Sequence, residues 1–250
     1  MISSVSKGNQ TKYWENGYLI KLDSPGWYES ISEVLVSELQ SNIVNPLPYV
    51  DYEYLVYRGV SACRSKNFLG EGESVISLKK LLDLSGFNID YSESGQWLKD
   101  CIVGAINMEY GLNIEKYLAY MIYLDAIVLN EDRHLRNISF IKSSDGRLRV
   151  SPLYDFGLSL LSDRDRYPSE QYRGIIKSQP FDLDFDSQVR IFDNPHITID
   201  LDKLMVRLLD VQLNTNLYVS YGKEDDLCRA VRVLIYRLGE TEGKLWFRKV

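Results

Sequence analysis

Apolar and polar positions alternate over short stretches in the first part of the chain. Such β-prone runs occur at Thr11 to Trp14, Tyr18 to Leu22, Tyr52 to Tyr57 and Val60 to Arg64. Gly8, Asn16-Gly17 and Arg58-Gly59 punctuate them, the residue types that hairpin turns need. One helical stretch interrupts the pattern. Between Tyr28 and Leu39 the apolar residues Ile31, Val34, Leu35 and Leu39 fall close to helical spacing. Ser24-Pro25 just ahead reads as its cap and first turn.

From about Glu71 the period becomes helical. Trp97, Leu98, Cys101, Ile102, Ala105 and Ile106 predict one helix. Leu118, Met121, Ile122, Asp125 and Val128 predict a second. Leu201, Leu204, Met205, Leu208 and Leu209 predict a third, and Leu227, Ala230, Val231, Leu234 and Leu238 a fourth. Stripes of this kind pack a core. A β pair is expected among them, Ile138 to Lys142 with Leu148 to Ser151, turned at Ser144-Asp145-Gly146. The pattern predicts an α+β chain with a small β-rich lobe over 1–69 and a larger helical lobe over 70–250.

Composition narrows the function classes. At 250 residues and 45% hydrophobic, the chain can bury a core without a metal or disulfides. Basic residues number 29 against 35 acidic ones, a net charge of −6, which argues against a globally basic nucleic-acid binder and leaves a local basic groove open. Cys63, Cys101 and Cys228 are far apart and form no C-x-x-C, and His134 and His196 are the only histidines. A disulfide framework, a zinc site and a His-rich metal centre are therefore not expected. The residues after Met1 show no apolar signal core. The run Tyr120 to Leu129 is broken by Asp125 and too short to span a bilayer. The expected compartment is a reducing cytoplasm, with no membrane partner.

The chemistry concentrates in two stretches. Asn130-Glu131-Asp132-Arg133-His134-Leu135-Arg136-Asn137 follows a predicted helix and precedes the predicted hairpin. Eighteen residues after Asn137 comes Asp155-Phe156-Gly157. Asp132 and Asn137 have the spacing of the aspartate and asparagine in a protein-kinase catalytic loop, and Asp155 opens the metal-binding triplet. Phosphoryl transfer needs positioning and charge neutralisation more than covalent help. Magnesium prefers carboxylate, amide and phosphate oxygens, which Asp155 and Asn137 can supply. Asp132 would accept or orient the proton of the incoming hydroxyl. The competing reading is a polar loop whose Asp and Asn cap turns.

Upstream, Lys21 lies in Tyr18-Leu19-Ile20-Lys21-Leu22 and Glu33 on the helix that follows. A buried ion pair between them would hold Lys21 against nucleotide phosphates. Glu29 and Glu38 are the competitors for that role, and taken alone both partners read as surface residues. The serine-rich stretch Ser3 to Lys12 is neither a Walker A nor a G-x-G-x-x-G sequence. Its backbone N–H groups could cover phosphates.

Together these residues resemble the HipA-like serine/threonine kinases of bacterial toxin–antitoxin systems. The matching pieces are Gly8-x-Gln10-x-Lys12, Lys21, Glu33-x-x-x-Ser37, Asn67-Phe68-Leu69, Asp132-x-His134-x-x-Asn137 and Asp155-Phe156-Gly157, in family order. The resemblance implies a bilobal protein-kinase-like fold, ATP with Mg2+, and transfer to a serine or threonine of a protein. A translation component such as an aminoacyl-tRNA synthetase is the expected substrate. It implies Asp132 as catalytic base, Asn137 and Asp155 as metal ligands, and Lys21 on the phosphates. Glu33, Gly8, Gln10, Lys66, Asn67, Phe68 and His134 are implied to complete the nucleotide site, with His134 bracing its loop. Ser4-Val5-Ser6 resembles the S-x-S form of a phosphate loop that is switched off by autophosphorylation, so Ser4 and Ser6 are candidate phosphosites. A frayed terminus is the competing reading.

Three departures from the family pattern shape the expectation. The kinase region begins almost at Met1, so the antitoxin-docking subdomain of larger relatives is expected to be missing and any antitoxin to be a separate chain. No A-P-E follows Asp155, and the polar stretch Ser162 to Pro180 is expected to be a mobile substrate-facing loop. Phe181 to Asp186 alternates carboxylates, which reads as a capped helix start or a solvated strand before it reads as a metal site. A small-molecule or lipid kinase of the same fold, and a nucleotide-binding pseudokinase, remain open as other readings.

Overall fold

The computed structural model describes residues 10–87, 89–90, 94–171, 174, 176–213, 218 and 222–250. The chain divides into two compact units, 1–67 with 154–173 and 196–250, and 68–153 with 174–195.

The first unit is built on a four-stranded antiparallel sheet ordered β1-β2-β4-β3. Its strands are β1 Lys12–Glu15, β2 Tyr18–Leu22, β3 Glu53–Tyr57 and β4 Val60–Lys66. Both hairpins turn through two left-handed residues, Asn16 (φ 50°) with Gly17 (φ 82°) and Arg58 (φ 53°) with Gly59 (φ 81°). Such turns match the strand twist, which is why Asn-Gly and Arg-Gly mark them. The register sets Lys21 opposite Lys12 and Cys63, and Cys63 opposite Tyr54, so all four share one sheet face. Helix α1 (Glu29–Ser41) packs on the sheet and is buried nearly all round, polar residues included.

A helix buried in this way needs cover beyond one sheet. The cover comes from α6 (Leu201–Leu213) and α7 (Glu224–Gly243), which also pack on α1. The short parallel pair β8 (Thr198–Ile199) and β9 (Arg248–Lys249) ties the same region together. The first compact unit therefore includes the C-terminal helices.

The second unit holds α2 (Leu78–Ser85), α3 (Gly95–Tyr110), α4 (Glu115–Val128) and α5 (Phe185–Arg190). A three-stranded sheet ordered β5-β6-β7 joins them: β5 Ser74–Ser77, β6 Ser139–Lys142 and β7 Leu148–Val150. Helix α4 is its central element, buried from Tyr117 to Val128.

Several local expectations are corrected. Ser24-Pro25 does not cap α1, which starts at Glu29. Asp23 does the work instead, its Oδ1 accepting the Ser30 N–H at 2.6 Å. Strand β5 escaped the sequence pattern because it is short, half exposed and followed at once by the helical stripe of α2. The buried stripes are narrower than predicted, with Trp97 and Leu209 exposed at 49% and 53%. Ser162 to Tyr167 is no mobile loop. Ser162, Asp163 and Tyr167 are buried, and Arg164 donates to Asp226 at 2.6 Å. The stretch Phe181 to Asp186 does hold the expected capped helix start, the carboxylate of Asp184 capping α5 by accepting the Ser187 N–H at 2.9 Å. Among the described residues no helix is long and apolar enough to cross a membrane.

Candidate functional site

Two polar clusters bear on the expected site, one in each unit. In the first, alternation along β2 aims Lys21 at α1, and one helical turn beyond Glu29 places Glu33 to meet it. Lys21 Nζ donates to Glu33 Oε1 at 2.6 Å and to Asp155 Oδ1 at 2.8 Å. It also lies 5.1 Å from the centre of the Tyr52 ring. The side chains of Lys21 and Glu33 are closed to solvent, and that of Asp155 is 25% exposed. Burial pulls the Lys21 ammonium down, but Asp155 and then Glu33 outweigh it, and the group stays well above the ordinary lysine range. Removing Lys21 would leave the buried Glu33 carboxylate without its counter-charge, a loss of about 3–5 kcal/mol. Glu29 and Glu38 do not take Glu33's place. Glu29 accepts the Ser24 N–H at 2.6 Å, and Glu38 pairs with Arg207 at 3.2 Å.

Glu33 has a second task. Its Oε2 accepts the Phe156 N–H at 2.9 Å, so one carboxylate binds the strand lysine and the backbone just after Asp155. Asp155 itself is left-handed (φ 67°), and so are the consecutive Leu160 (φ 54°) and Leu161 (φ 62°). For non-glycine residues each such conformation costs on the order of 1–3 kcal/mol and persists only where the surroundings over-determine it. Here they do. Ser32 Oγ donates to Ser159 O at 2.9 Å, and the Tyr28 hydroxyl lies 2.7 Å and 2.9 Å from the carbonyls of Leu160 and Leu161. Burial, opposed by Arg229, pushes the Tyr28 phenol up to about 12, so it is a neutral donor at physiological pH. Gly157 packs tightly: a Cβ there would lie 3.3 Å from Glu29 Cβ.

In the second unit the loop after α4 holds Asp132 and Asn137 against each other. Asn137 Nδ2 donates to the Asp132 carbonyl at 2.9 Å and to its Oδ2 at 3.0 Å. This commits the amide nitrogen and leaves Oδ1 as the atom suited to a hard cation. His134 donates its N–H to Asp132 O at 2.9 Å, and its Nε2 stands 3.9 Å from Asp132 Oδ1. Beneath the loop lies a buried scaffold. Arg133 turns inward, donating from Nε to Asp125 Oδ2 at 2.9 Å and from Nη1 to Asn137 O at 3.0 Å. Asn130 donates to Asp125 Oδ1 at 2.7 Å. Burial raises the Asp125 carboxyl, while Arg133 and Asn130 hold it back. Sequence reasoning missed this scaffold, although a carboxylate on the apolar stripe of α4 was its signal.

The other expected site residues join neither cluster through the bonds described above or lie outside the described residues. Gly8, Ser4 and Ser6 lie outside the described residues. Gln10 is half-buried just ahead of β1, Lys66 ends β4 exposed, and Asn67 donates its N–H to Gly17 O at 3.1 Å. Phe68 opens the second unit. No group of three His, Cys, Asp or Glu gathers for an all-protein metal site among the described residues. Asp155 in the first unit and Asn137 in the second each carry side-chain oxygens of the kind that magnesium prefers.

The α+β architecture, with its small antiparallel sheet backed by a helix, is kinase-like. No family model and no curated protein matches the chain. Among solved structures it is similar to the Helicobacter pylori proinflammatory kinase CtkA, at 15% identity and a TM-score of 0.60, over 95% of this chain and 91% of that one. At that identity the likeness shows a shared fold. Two weaker similarities follow. One is to a Shewanella oneidensis MR-1 toxin–antitoxin structure of HipA, HipB and operator DNA, at 15% identity, a TM-score of 0.41, and 95% and 58% coverage. The other is to a choline/ethanolamine kinase family protein from Mesorhizobium loti, at 9% identity, a TM-score of 0.31, and 94% and 92% coverage.

Proposed function

We propose that the chain is an ATP- and magnesium-dependent serine/threonine protein kinase of the HipA-like type. The observation that carries this reading is the placement of Lys21 Nζ between Glu33 and Asp155, a lysine fixed by a helix carboxylate beside the aspartate of a D-F-G triplet. In this reading the N-lobe, 1–69, supplies the nucleotide contacts. Lys21 binds phosphate oxygens, Glu33 holds Lys21 in place, and Gly8, Gln10, Lys66, Asn67, Phe68 and His134 surround the nucleotide. The C-lobe, 70–250, supplies Asp132, which orients the substrate hydroxyl and accepts its proton. Asp155 and Asn137 hold the metal, which when bound neutralises charge on the phosphoryl oxygens.

The D-x-H-x-x-N order supports a protein hydroxyl as acceptor, with a translation-related protein such as an aminoacyl-tRNA synthetase as target. Ser4 and Ser6 are the proposed autophosphorylation sites, a separate antitoxin chain the proposed partner, and the cytoplasm the proposed compartment. The test is transfer from labelled ATP with Mg2+ to host proteins, with phosphosites mapped by mass. Wild type is expected to label protein serines or threonines and Asp132→Ala none. Transfer that survives in Asp132→Ala refutes the catalytic assignment.

A further inference from the structure

The backbone after Asp155 runs through two consecutive left-handed leucines, Leu160 and Leu161. A turn built from bulky residues in that conformation does not persist by its own preference. The groups that hold it come from the first turns of α1 and from α7. Tyr28, just ahead of α1, is fully buried. Its single hydroxyl proton is shared between the carbonyls of Leu160 and Leu161. The same oxygen accepts from Arg229 Nε at 3.1 Å. A charged donor polarises the hydroxyl and strengthens the bonds it gives onward. Arg229, 6% exposed, also donates to Pro168 O at 3.0 Å and to Tyr167 O. One guanidinium thus ties Tyr167 and Pro168 to a phenol that grips the turn at Leu160 and Leu161.

We propose that Tyr28 and Arg229 are positioning residues that clamp the segment 156–168 and thereby fix the direction of the Asp155 carboxylate. The Phe156 N–H is already held by Glu33, so the clamp secures the far end of the segment whose near end carries Asp155. Neither residue touches Lys21 or Asp155 through the bonds described, and their effect passes through the backbone. The consequence for metal-dependent nucleotide binding rests on the kinase reading. The conformational claim does not.

The test uses the full chain with Tyr28→Phe, which keeps the ring and removes the hydroxyl, and with Arg229→Lys, which keeps the charge and removes the fork. Hydrogen exchange followed by mass spectrometry, without nucleotide, should show peptides within 156–168 exchanging roughly tenfold faster in both variants, as for loss of about one net hydrogen bond from a local opening. Peptides from β2 and β4 should be unchanged. Calorimetric titration of wild type with ATP and Mg2+ should show binding that weakens about tenfold in Tyr28→Phe, the same loss. Unchanged exchange over 156–168 in both variants overturns the clamp. Equal acceleration in the sheet peptides overturns it too, by assigning both residues to general stability. Faster exchange with unaltered nucleotide affinity overturns the link to Asp155. Faster local exchange in a wild-type protein that binds no ATP would leave the clamp standing and refute the kinase reading instead.

Discussion

Arg133 sits in sequence between Asp132 and His134, yet its guanidinium faces the other way and grips Asp125 at 2.9 Å with both side chains closed to solvent. The same arginine holds the carbonyl of Asn137. The loop that presents Asp132 is thus anchored to the last turn of α4 by a residue inside the loop itself.

Asp125→Ala should therefore cost stability before anything else. It leaves Arg133 buried with its charge unanswered, a loss of about 3–5 kcal/mol. Urea denaturation should show the midpoint falling accordingly. Asp125→Asn, which still accepts one hydrogen bond, should lose less.

Glu33→Gln addresses the shared carboxylate. Glutamine has one acceptor oxygen and one NH2, whereas both Lys21 and the Phe156 N–H are donors. Whichever way the amide turns, one donor meets a donor. The expected loss is about 1–3 kcal/mol, the cost of one unsatisfied buried group, read by chemical denaturation. Nucleotide binding should fall in parallel if Lys21 contacts phosphate.

Glu29 gives a pH dependence. Burial raises its carboxyl above the ordinary glutamate value of 4.5, against the N–H of Ser24 that lowers it. The folded state therefore holds this proton more tightly than the unfolded chain. Its contribution to stability is present at low pH and is lost as pH rises from 4.5 through the folded value. Glu29→Gln keeps an acceptor for Ser24 and cannot ionise. Its stability relative to wild type should rise between pH 4 and pH 7, by denaturation at fixed ionic strength. A flat difference would contradict the burial argument.

Arg58 sets two small effects against each other. Its left-handed backbone (φ 53°) costs about 1 kcal/mol, which Asn would largely relieve. Its guanidinium lies 5.3 Å and 5.0 Å from the Tyr13 and Tyr57 ring centres, contacts worth about 0.5–1 kcal/mol each at exposed sites. Arg58→Asn should change stability by less than about 1 kcal/mol. Gly59→Ala, with strain and no compensation, should lose about 1–2 kcal/mol.

The strands of the first sheet and the run of α1 were legible because alternation, helical spacing and Asn-Gly or Arg-Gly turns all act over a few residues. Lys21, Glu33 and Asp155 could be singled out together because the kinase resemblance orders those residue types along the chain, and the structure brings the three side chains into contact. What stayed hidden is long-range. Nothing local to Tyr28 or Arg229 announces that they meet across 201 positions. Arg133 reads as one more polar loop residue until its direction is seen. The segment after Ser162 looked mobile because its polar residues find partners on a helix some sixty positions away, as Arg164 finds Asp226.

The first unit is stitched from three stretches of chain. Ribosomes add about 5–20 residues per second, so Arg229 emerges about 10–40 s after Tyr28. Late in that interval, before Leu201 emerges, α1 has its sheet but neither α6 nor α7, while the stretch 68–153 is already synthesised. A nascent or prematurely released chain lacking α7 would carry Lys21, Glu33, Asp132, Asn137 and Asp155 without the arginine that holds the turn after Asp155.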